Sequence, residues 1–209
     1  MVDARLAADA GADAVGLNFY EKSPRFVSEA QAEQIVAVLP RGVAKVGVFV
    51  NAPLTRIVET FDRLKLDYVQ LHGDESPEFI EQLKGRPTIR AFRHGSEGLA
   101  AIADYLADCQ QRKHLPQAVL VDSWQAGIYG GTGKVVDWQS VAHARGLLPT
   151  DFVVLAGGLN ADNVSRAIHT ARPDAVDVSS GVESQPGRKH PQLIRDFVTA
   201  AKAAFAAIR

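Results

Sequence analysis

Two glycine-rich segments late in the chain have the residue types of phosphate-binding turns. Gly157 and Gly158 follow an apolar run and lead to Asn160, which suits the N-cap of a helix. Ser180 and Gly181 follow the next apolar run. Glycine lets backbone N–H groups approach a phosphate closely, and a helix N-terminus favours an anion. Either turn alone also suits a plain connection, but two on consecutive strands favour a phosphate site.

A carboxylate suited to proton transfer ends the apolar run at 118–121. Asp122 stands at that point, and in a barrel of parallel strands the carboxyl ends of the strands form the catalytic rim. The same position also suits a carboxylate that caps a helix or braces a loop. The segment 129–134, Tyr-Gly-Gly-Thr-Gly-Lys, then indicates a loop able to fold over a substrate, and its spacing does not match a P-loop.

Two other polar residues follow predicted strands. His72, in the segment Gln-Leu-His-Gly-Asp-Glu at 70–75, lies at a strand end. Arg25 lies in the stiff turn Ser-Pro-Arg at 23–25, and a guanidinium there suits a carboxylate ligand. His72 also suits a hydrogen-bonded loop residue, and Arg25 a surface ion pair.

Short apolar runs rich in β-forming residues alternate with longer segments of helical period. The predicted strands are 13–19, 44–50, 68–71, 88–92, 118–121, 152–155 and 175–178. The predicted helices are 2–10, 28–39, 53–64, 77–83, 96–112, 137–144, 160–171 and 191–208. This order predicts parallel strands covered by helices, beginning with a helix that no strand precedes.

The position of the glycine turns separates two parallel architectures. An open doubly wound sheet usually has its glycine-rich phosphate turn after the first strand, where this chain has Asn-Phe-Tyr-Glu at 18–21. A (β/α)8 barrel commonly binds phosphate after strands seven and eight. We therefore predict a single-domain (β/α)8 TIM barrel over 1–209 that lacks the first β-strand.

The composition argues against several kinds of partner. The 23 Lys and Arg residues nearly balance the 24 Asp and Glu residues, so no broad basic field attracts nucleic acid or an anionic membrane. No apolar run approaches the roughly 20 residues that cross a bilayer. The single cysteine, Cys109, excludes an internal disulfide. We expect a soluble cytoplasmic protein without nucleic-acid or membrane partners.

Several segments resemble, in order, the signature blocks of the phosphoribosylanthranilate isomerase family. They are Gly-Leu-Asn-Phe-Tyr at 16–20 with Ser-Pro-Arg at 23–25, Val-Gly-Val-Phe-Val-Asn at 46–51, Gln-Leu-His-Gly-Asp-Glu at 70–75, Gly-Gly-Thr-Gly at 130–133, Ala-Gly-Gly-Leu at 156–159 and Ser-Ser-Gly-Val-Glu at 179–183. These blocks span nearly the whole chain, so the chain is similar to that family throughout.

The resemblance implies an enzyme of tryptophan biosynthesis. The family converts N-(5'-phosphoribosyl)anthranilate to 1-(2-carboxyphenylamino)-1-deoxyribulose 5-phosphate by an Amadori rearrangement, without metal or organic cofactor. That chemistry needs an acid to protonate the furanose ring oxygen and a base to remove the C2' proton. The implied partner is a small phosphosugar substrate, and the chain is expected to be a monomer or a homodimer.

The resemblance also assigns roles to residues of this sequence. Asp122 matches the general acid, and Arg25 matches the residue near the anthranilate carboxylate. His72 and Asp177 match positions at the rim of the barrel. The matches to the phosphate cradle are Gly157, Gly158, Ser180 and Gly181.

One expected catalytic residue is missing. The family's base is a cysteine in a Lys-Ile-Cys-Gly-Ile-Thr block at the end of the first strand, and this sequence begins inside the helix that follows that block. Cys109 lies late in a predicted helix, away from the strand ends, and is read as a small apolar residue. We expect an in-frame strand with the cysteine upstream of Met1, and reduced or no activity from the chain as written.

Two other readings stay open. One is a catalytically dead barrel that still binds phosphorylated ligands, and the missing cysteine favours it. The other is a related phosphosugar barrel, such as the bifunctional isomerase that also acts in histidine biosynthesis, or indole-glycerol-phosphate synthase. The synthase would need a lysine at a strand end, and the predicted strand ends supply none.

Overall fold

A parallel sheet forms the centre of the protein. The computed structural model describes residues 1–93, 98–122, 138–145, 148–150 and 152–208. The sheet has seven strands: β1 (Ala14–Asn18), β2 (Ala44–Phe49), β3 (Tyr68–Leu71), β4 (Thr88–Arg93), β5 (Ala118–Asp122), β6 (Val153–Ala156) and β7 (Ala175–Val176). They pair in sequence order, and every pairing is parallel. All seven predicted strands are thereby confirmed.

Helices connect and cover these strands. They are α1 (Val2–Asp9), α2 (Glu29–Val38), α3 (Leu54–Leu64), α4 (Pro77–Gln82), α5 (Gly98–Gln111), α6 (Trp138–Arg145), α7 (Val164–Ala171) and α8 (Pro191–Ile208). Ser28 begins α2 with a capping box, in which its hydroxyl and the Gln31 side chain each accept a backbone N–H. None of the described helices is long and apolar enough to span a membrane.

Side chains on the two faces of the sheet have different surroundings. Val119, Val121 and Leu155 pack towards the helices in a large apolar cluster, where burial of each such side chain contributes about 1.5–3 kcal/mol. Leu120 and Ala156 belong to a smaller inner cluster with Ala91, Ala118 and Val154. Because side chains alternate along a strand, Asp122 lies on the same inner face as Leu120.

The sheet is open between its first and last strands. Within the described residues, β1 pairs only with β2 and β7 only with β6. This arrangement agrees with the predicted barrel without its first strand. Beyond β7 the chain forms a 3₁₀ helix (Ser180–Val182) and an antiparallel hairpin of β8 (Glu183–Gln185) and β9 (Arg188–Lys189) before α8.

One predicted element needs correction, and one observed element was not predicted. The segment after Asn160 was expected to be helical at once, but α7 begins at Val164. The Asn160 side chain instead accepts the backbone N–H groups of Asp162 and Asn163 in a turn, because a short polar side chain competes with the helix for these donors. The hairpin after the last strand was not predicted, since its strands are only three and two residues long.

Candidate active site

The predicted site residues meet at the carboxyl edge of the sheet. Asp122 is the last residue of β5, His72 directly follows β3, and Asp177 directly follows β7. Gly157 and Gly158 follow β6. Since all the strands are parallel, these residues lie at one edge, which we call the mouth.

An imidazole and a carboxylate approach each other at the mouth. His72 Nε2 lies 3.9 Å from Asp122 Oδ2, and Gln70 Nε2 lies 3.1 Å from His72 Nδ1. An amide nitrogen donates, so Nδ1 accepts, and the proton of a neutral imidazole is on Nε2, facing Asp122. Burial lowers the pKa of His72, and Arg93 and Arg90 lower it further, while Asp122 and Glu75 act in the opposite direction. His72 is therefore a neutral donor near pH 7.

A second carboxylate lies at the same edge. Protein atoms around Asp177 raise its pKa by desolvation, Lys189 lowers it, and Asp122 raises it. Asp177 is exposed to water. The net effect of these groups is a raised pKa of Asp177. The effect of Asp122 indicates that the two carboxylates are within electrostatic reach of each other.

The two glycine turns are in direct contact. Gly157 and Gly158 have φ angles of 91° and 63°, in the left-handed region that disfavours side chains. A Cβ atom on Gly181 would overlap the carbonyl oxygen of Leu159, whereas one on Gly158 would meet open space. Ser180 begins the 3₁₀ helix beside this contact. The sequence predicted both turns, and the structure brings them into contact.

Arg25 holds a carboxylate that the sequence did not identify. Its Nε and Nη2 each donate to Glu183 across 2.7 Å, and Lys189 Nζ binds the same carboxylate at 3.0 Å. Burial opposes ionisation of Glu183, but the hydrogen bonds from Arg25 and Lys189 outweigh it and lower the pKa of Glu183. We call Arg25, Glu183 and Lys189 the hairpin side of the mouth.

A buried charged network underlies His72. Arg90 and Glu75 have side chains only 6% and 2% exposed, with Nη1 and Oε2 3.7 Å apart. Glu75 accepts the backbone N–H groups of Asn51 and Gly73. We call Gln70, His72, Glu75 and Arg90 the β3 side of the mouth.

Sequence reasoning missed five of these residues, and for Lys189 the sequence offered no signal. Glu183 and Glu75 stood inside quoted motifs, and Gln70 preceded His72 by two residues, the spacing that places both on one face of a strand. Arg90 was a charged residue in an apolar strand, which was the signal available for a buried paired charge.

The remaining predicted features lie elsewhere. Cys109 is fully buried on α5 in the apolar cluster with Leu83 and Val69, and burial raises the pKa of its thiol to about 11. Its predicted position late in a helix is confirmed. Ser123 and the 129–134 loop lie outside the described residues. Among the described residues, no three His, Cys, Asp or Glu side chains are grouped to hold a metal ion.

The chain is similar to known proteins over nearly its full length. Residues 1–200 match the family model described as N-(5'-phosphoribosyl)anthranilate (PRA) isomerase. The N-(5'-phosphoribosyl)anthranilate isomerase of Citrifermentans bemidjiense is 45% identical over 201 residues, covering 96% of this chain and 91% of the relative. That of Geobacter sulfurreducens is 44% identical over 200 residues, covering 96% and 93%.

Solved structures give the same result. The phosphoribosyl anthranilate isomerase of Thermotoga maritima superposes with a TM-score of 0.84 and 37% identity, covering 97% of this chain and 94% of that one. A phosphoribosyl anthranilate isomerase in complex with reduced 1-(o-carboxyphenylamino)-1-deoxyribulose 5-phosphate has a TM-score of 0.79 and 35% identity, covering 97% and 93%. The chain therefore belongs to the N-(5'-phosphoribosyl)anthranilate isomerase family.

Proposed function

We propose that this protein converts N-(5'-phosphoribosyl)anthranilate to 1-(2-carboxyphenylamino)-1-deoxyribulose 5-phosphate, a step of tryptophan biosynthesis, by general acid and base catalysis. The observation that carries this proposal is the juxtaposition at one mouth of Asp122, 3.9 Å from His72, with the paired glycine turns. A proton donor and an anion site at one edge suit a phosphorylated sugar.

The glycine turns bind the phosphate in this proposal. Gly157, Gly158, Ser180 and Gly181 offer backbone N–H groups and a hydroxyl. The Cβ position of Gly158 is open space, so an oxyanion can approach the backbone closely there. With the phosphate fixed there, the sugar extends across the mouth towards Asp122.

Asp122 is the general acid. Its carboxyl proton passes to the furanose ring oxygen, the C1'–O bond breaks, and the nitrogen lone pair forms the C=N bond of a Schiff base. A base then removes the C2' proton, the C–H electrons form C1'=C2', and the C=N electrons return to nitrogen. The enolamine tautomerises to the ketone, so every atom of the substrate is kept.

His72 and Asp177 bind the sugar around this reaction. A neutral His72 donates from Nε2 towards Asp122 and the ring oxygen without placing a second cation beside the developing iminium. Asp177, which is exposed at the mouth, accepts a hydrogen bond from a sugar hydroxyl.

Arg25 binds the anthranilate carboxylate. Its Nε and Nη2 are engaged by Glu183, whereas Nη1 makes no hydrogen bond to any described residue. Because Glu183 holds one edge of the guanidinium, the remaining N–H donors of Arg25 are already oriented. Less conformational entropy is therefore lost when a second carboxylate binds.

The identity of the base that removes the C2' proton should be tested first. Cys109 is buried with a raised pKa of about 11, which removes it from this role, and the family resemblance assigns the base to a cysteine on the strand before α1. Loss of the substrate's anthranilate fluorescence should be followed with this chain and with the same chain preceded by a strand carrying Lys-Ile-Cys-Gly-Ile-Thr.

Each outcome of that assay is informative. Turnover only in the extended form, abolished again when the added cysteine becomes serine, supports the proposal. Equal turnover in both forms refutes a cysteine base. Binding of the reduced product analogue without turnover in either form supports the second candidate, a phosphosugar-binding barrel without catalysis, which the burial of Cys109 favours.

Assembly and location are also proposals. One solved relative is described as monomers generated from the dimeric Thermotoga maritima enzyme. We propose a monomer or a homodimer here, acting in the cytoplasm, and light scattering during size-exclusion chromatography distinguishes the two states.

A further inference from the structure

Arg90 is buried beneath the mouth although it takes no part in the chemistry described above. It lies opposite Leu71 in the parallel ladder of β3 and β4, and only 5% of its surface is exposed. Its guanidinium carbon stands 4.8 Å from the ring centroid of Phe92 and 5.1 Å from that of Tyr105. These rings fix the guanidinium plane on the helix-facing side of the sheet.

The donors of Arg90 reach around the strand end to the backbone on both sides of His72. Nη1 donates to the Leu71 carbonyl oxygen at 3.0 Å, and Nη2 donates to the Gly73 carbonyl oxygen at 3.0 Å. Nη1 also donates to the Ala91 carbonyl oxygen at 2.6 Å. The guanidinium therefore links β4 to the residues immediately before and after His72.

Glu75 completes this support. Its carboxylate accepts the Gly73 N–H at 2.9 Å, and Tyr105 Oη donates to the Glu75 carbonyl oxygen at 2.8 Å. The His72 N–H itself donates to the Phe49 carbonyl oxygen at 2.8 Å. The backbone around His72 is thus held by β2, β4 and α5 together.

We propose that Arg90 is a positioning residue for His72, whose two flanking carbonyl groups it fixes so that the imidazole stands between Gln70 and Asp122. This inference rests on the proposed function only for the use that catalysis makes of His72. A planar fork can bind two carbonyls at once, which a lysine ammonium does with poorer geometry.

Stability alone does not explain a buried arginine here. Arg90 Nε is buried without a hydrogen-bond partner among the described residues, and an unsatisfied buried donor is unfavourable. Replacing buried ion pairs by apolar side chains often leaves stability unchanged or improves it. A role for the guanidinium in orienting a side chain at the mouth accounts for a buried arginine at this position.

The test compares Arg90→Lys, Arg90→Met and a control, Arg86→Met, in ¹⁵N-histidine-labelled protein. Arg86 also lies over an aromatic ring, Phe61, and also donates to a backbone carbonyl, that of Leu83, but away from the mouth. The ¹⁵N shifts of His72 report which ring nitrogen carries the proton. Arg90→Lys keeps the positive charge, so a change there reflects displacement of the ring.

We expect a single Nε2–H tautomer of His72 in the parent and in Arg86→Met, and a mixture of tautomers in Arg90→Lys and Arg90→Met. In whichever form of the protein turns over, kcat should fall at least about tenfold in Arg90→Lys with little change in KM, as expected when only a transition-state interaction is lost. The groups that act on His72 electrostatically are Asp122, Arg93, Arg90 and Glu75.

An unchanged His72 tautomer in folded Arg90→Lys would overturn the proposal and leave Arg90 as a packing residue. If Arg90→Met fails to fold, Arg90→Lys still decides. The spectra need no turnover, so failure of the proposed function and failure of this inference are separate results.

Discussion

The β3 side and the hairpin side of the mouth are built in opposite ways. On the β3 side, Arg90 and Glu75 are almost fully buried and bind groups no more than 30 positions away in the chain. On the hairpin side, Arg25 is 30% exposed, and its partner Glu183 is 158 positions away.

This difference indicates which part of the site is fixed and which adapts. On the β3 side, the buried Arg90 side chain binds the Leu71 and Gly73 carbonyls, and the Phe49 carbonyl accepts the His72 N–H, so the backbone of His72 is fixed from both neighbouring strands. The hairpin side depends on an ion pair across the open side of the sheet, in which the Glu183 side chain is only 4% exposed but that of Arg25 is 30% exposed, so water competes mainly for the guanidinium. A ligand carboxylate can therefore share Arg25 more easily than a ligand can move His72.

Asp122→Asn should have the largest effect, because it removes the proton donor that both sides of the mouth surround. We expect kcat to fall by about 10²–10⁴-fold in the form that turns over. Affinity for the reduced product analogue, measured by titration calorimetry, should change little. Retention of more than half the activity would contradict the assignment of the acid.

Gly181→Ala tests the contact between the glycine turns. The new methyl group would overlap the Leu159 carbonyl oxygen, so the turns must separate. We expect a loss of about 1–3 kcal/mol in the free energy of unfolding and at least about tenfold weaker binding of the phosphorylated analogue, a difference of about 1.4 kcal/mol.

Gly85→Ala is the matched control for backbone strain. Gly85 has a φ of 77° with open space around its Cβ position, and it lies between α4 and β4, away from the mouth. The Gly85→Ala variant should be less stable than the parent but should bind the phosphorylated analogue equally well. Equal weakening of binding by the two variants would show that general strain, and not the cradle, was responsible.

Glu183→Gln tests the hairpin side. The lowered pKa of Glu183 means that its contribution is present above the ordinary glutamate pKa of 4.5 and is lost as the pH falls through the lower folded pKa. We expect urea denaturation at pH 7 to give a loss of about 1 kcal/mol after allowance for solvent screening, and the difference between variant and parent to shrink towards pH 3.

Glu29→Gln serves as the comparison. Glu29 pairs with Arg63 at the same 2.7 Å, but both side chains are more than two-fifths exposed. The Glu29→Gln variant should lose less free energy of unfolding than Glu183→Gln at every pH at which the two differ from the parent. A larger effect at Glu29 than at Glu183 would reverse the ranking of buried and exposed carboxylates.

The smallest expected effect is in the titration of His72. Its pKa should lie below 6.5, and Asp122→Asn should lower it further because the carboxylate acts to raise it, whereas Arg93→Gln should increase it. Protonation then favours the unfolded state as the pH falls below 6.5. Proton NMR of the histidine ring checks both signs, and shifts in one direction for both variants would contradict the geometry.

The contrast between the two sides also explains what the sequence could predict. All seven strands were found, because apolar runs bounded by turns are local signals, and the placement of His72, Asp122 and the glycine turns followed from parallel strand order. The partner of Arg25 could not be found, since a contact across 158 positions depends on how the sheet curves. The buried position of Arg90 depends on the aromatic rings of Phe92 and Tyr105, whose packing no local pattern specifies.

The most direct test of a single ligand spanning the mouth is a crystal structure with reduced 1-(o-carboxyphenylamino)-1-deoxyribulose 5-phosphate. We predict phosphate against the backbone of 157–158 and 180–181, the sugar oxygens beside Asp122 and His72, and the carboxylate at Arg25. A phosphate bound elsewhere, or a sugar chain pointing away from Asp122, would contradict the proposed site.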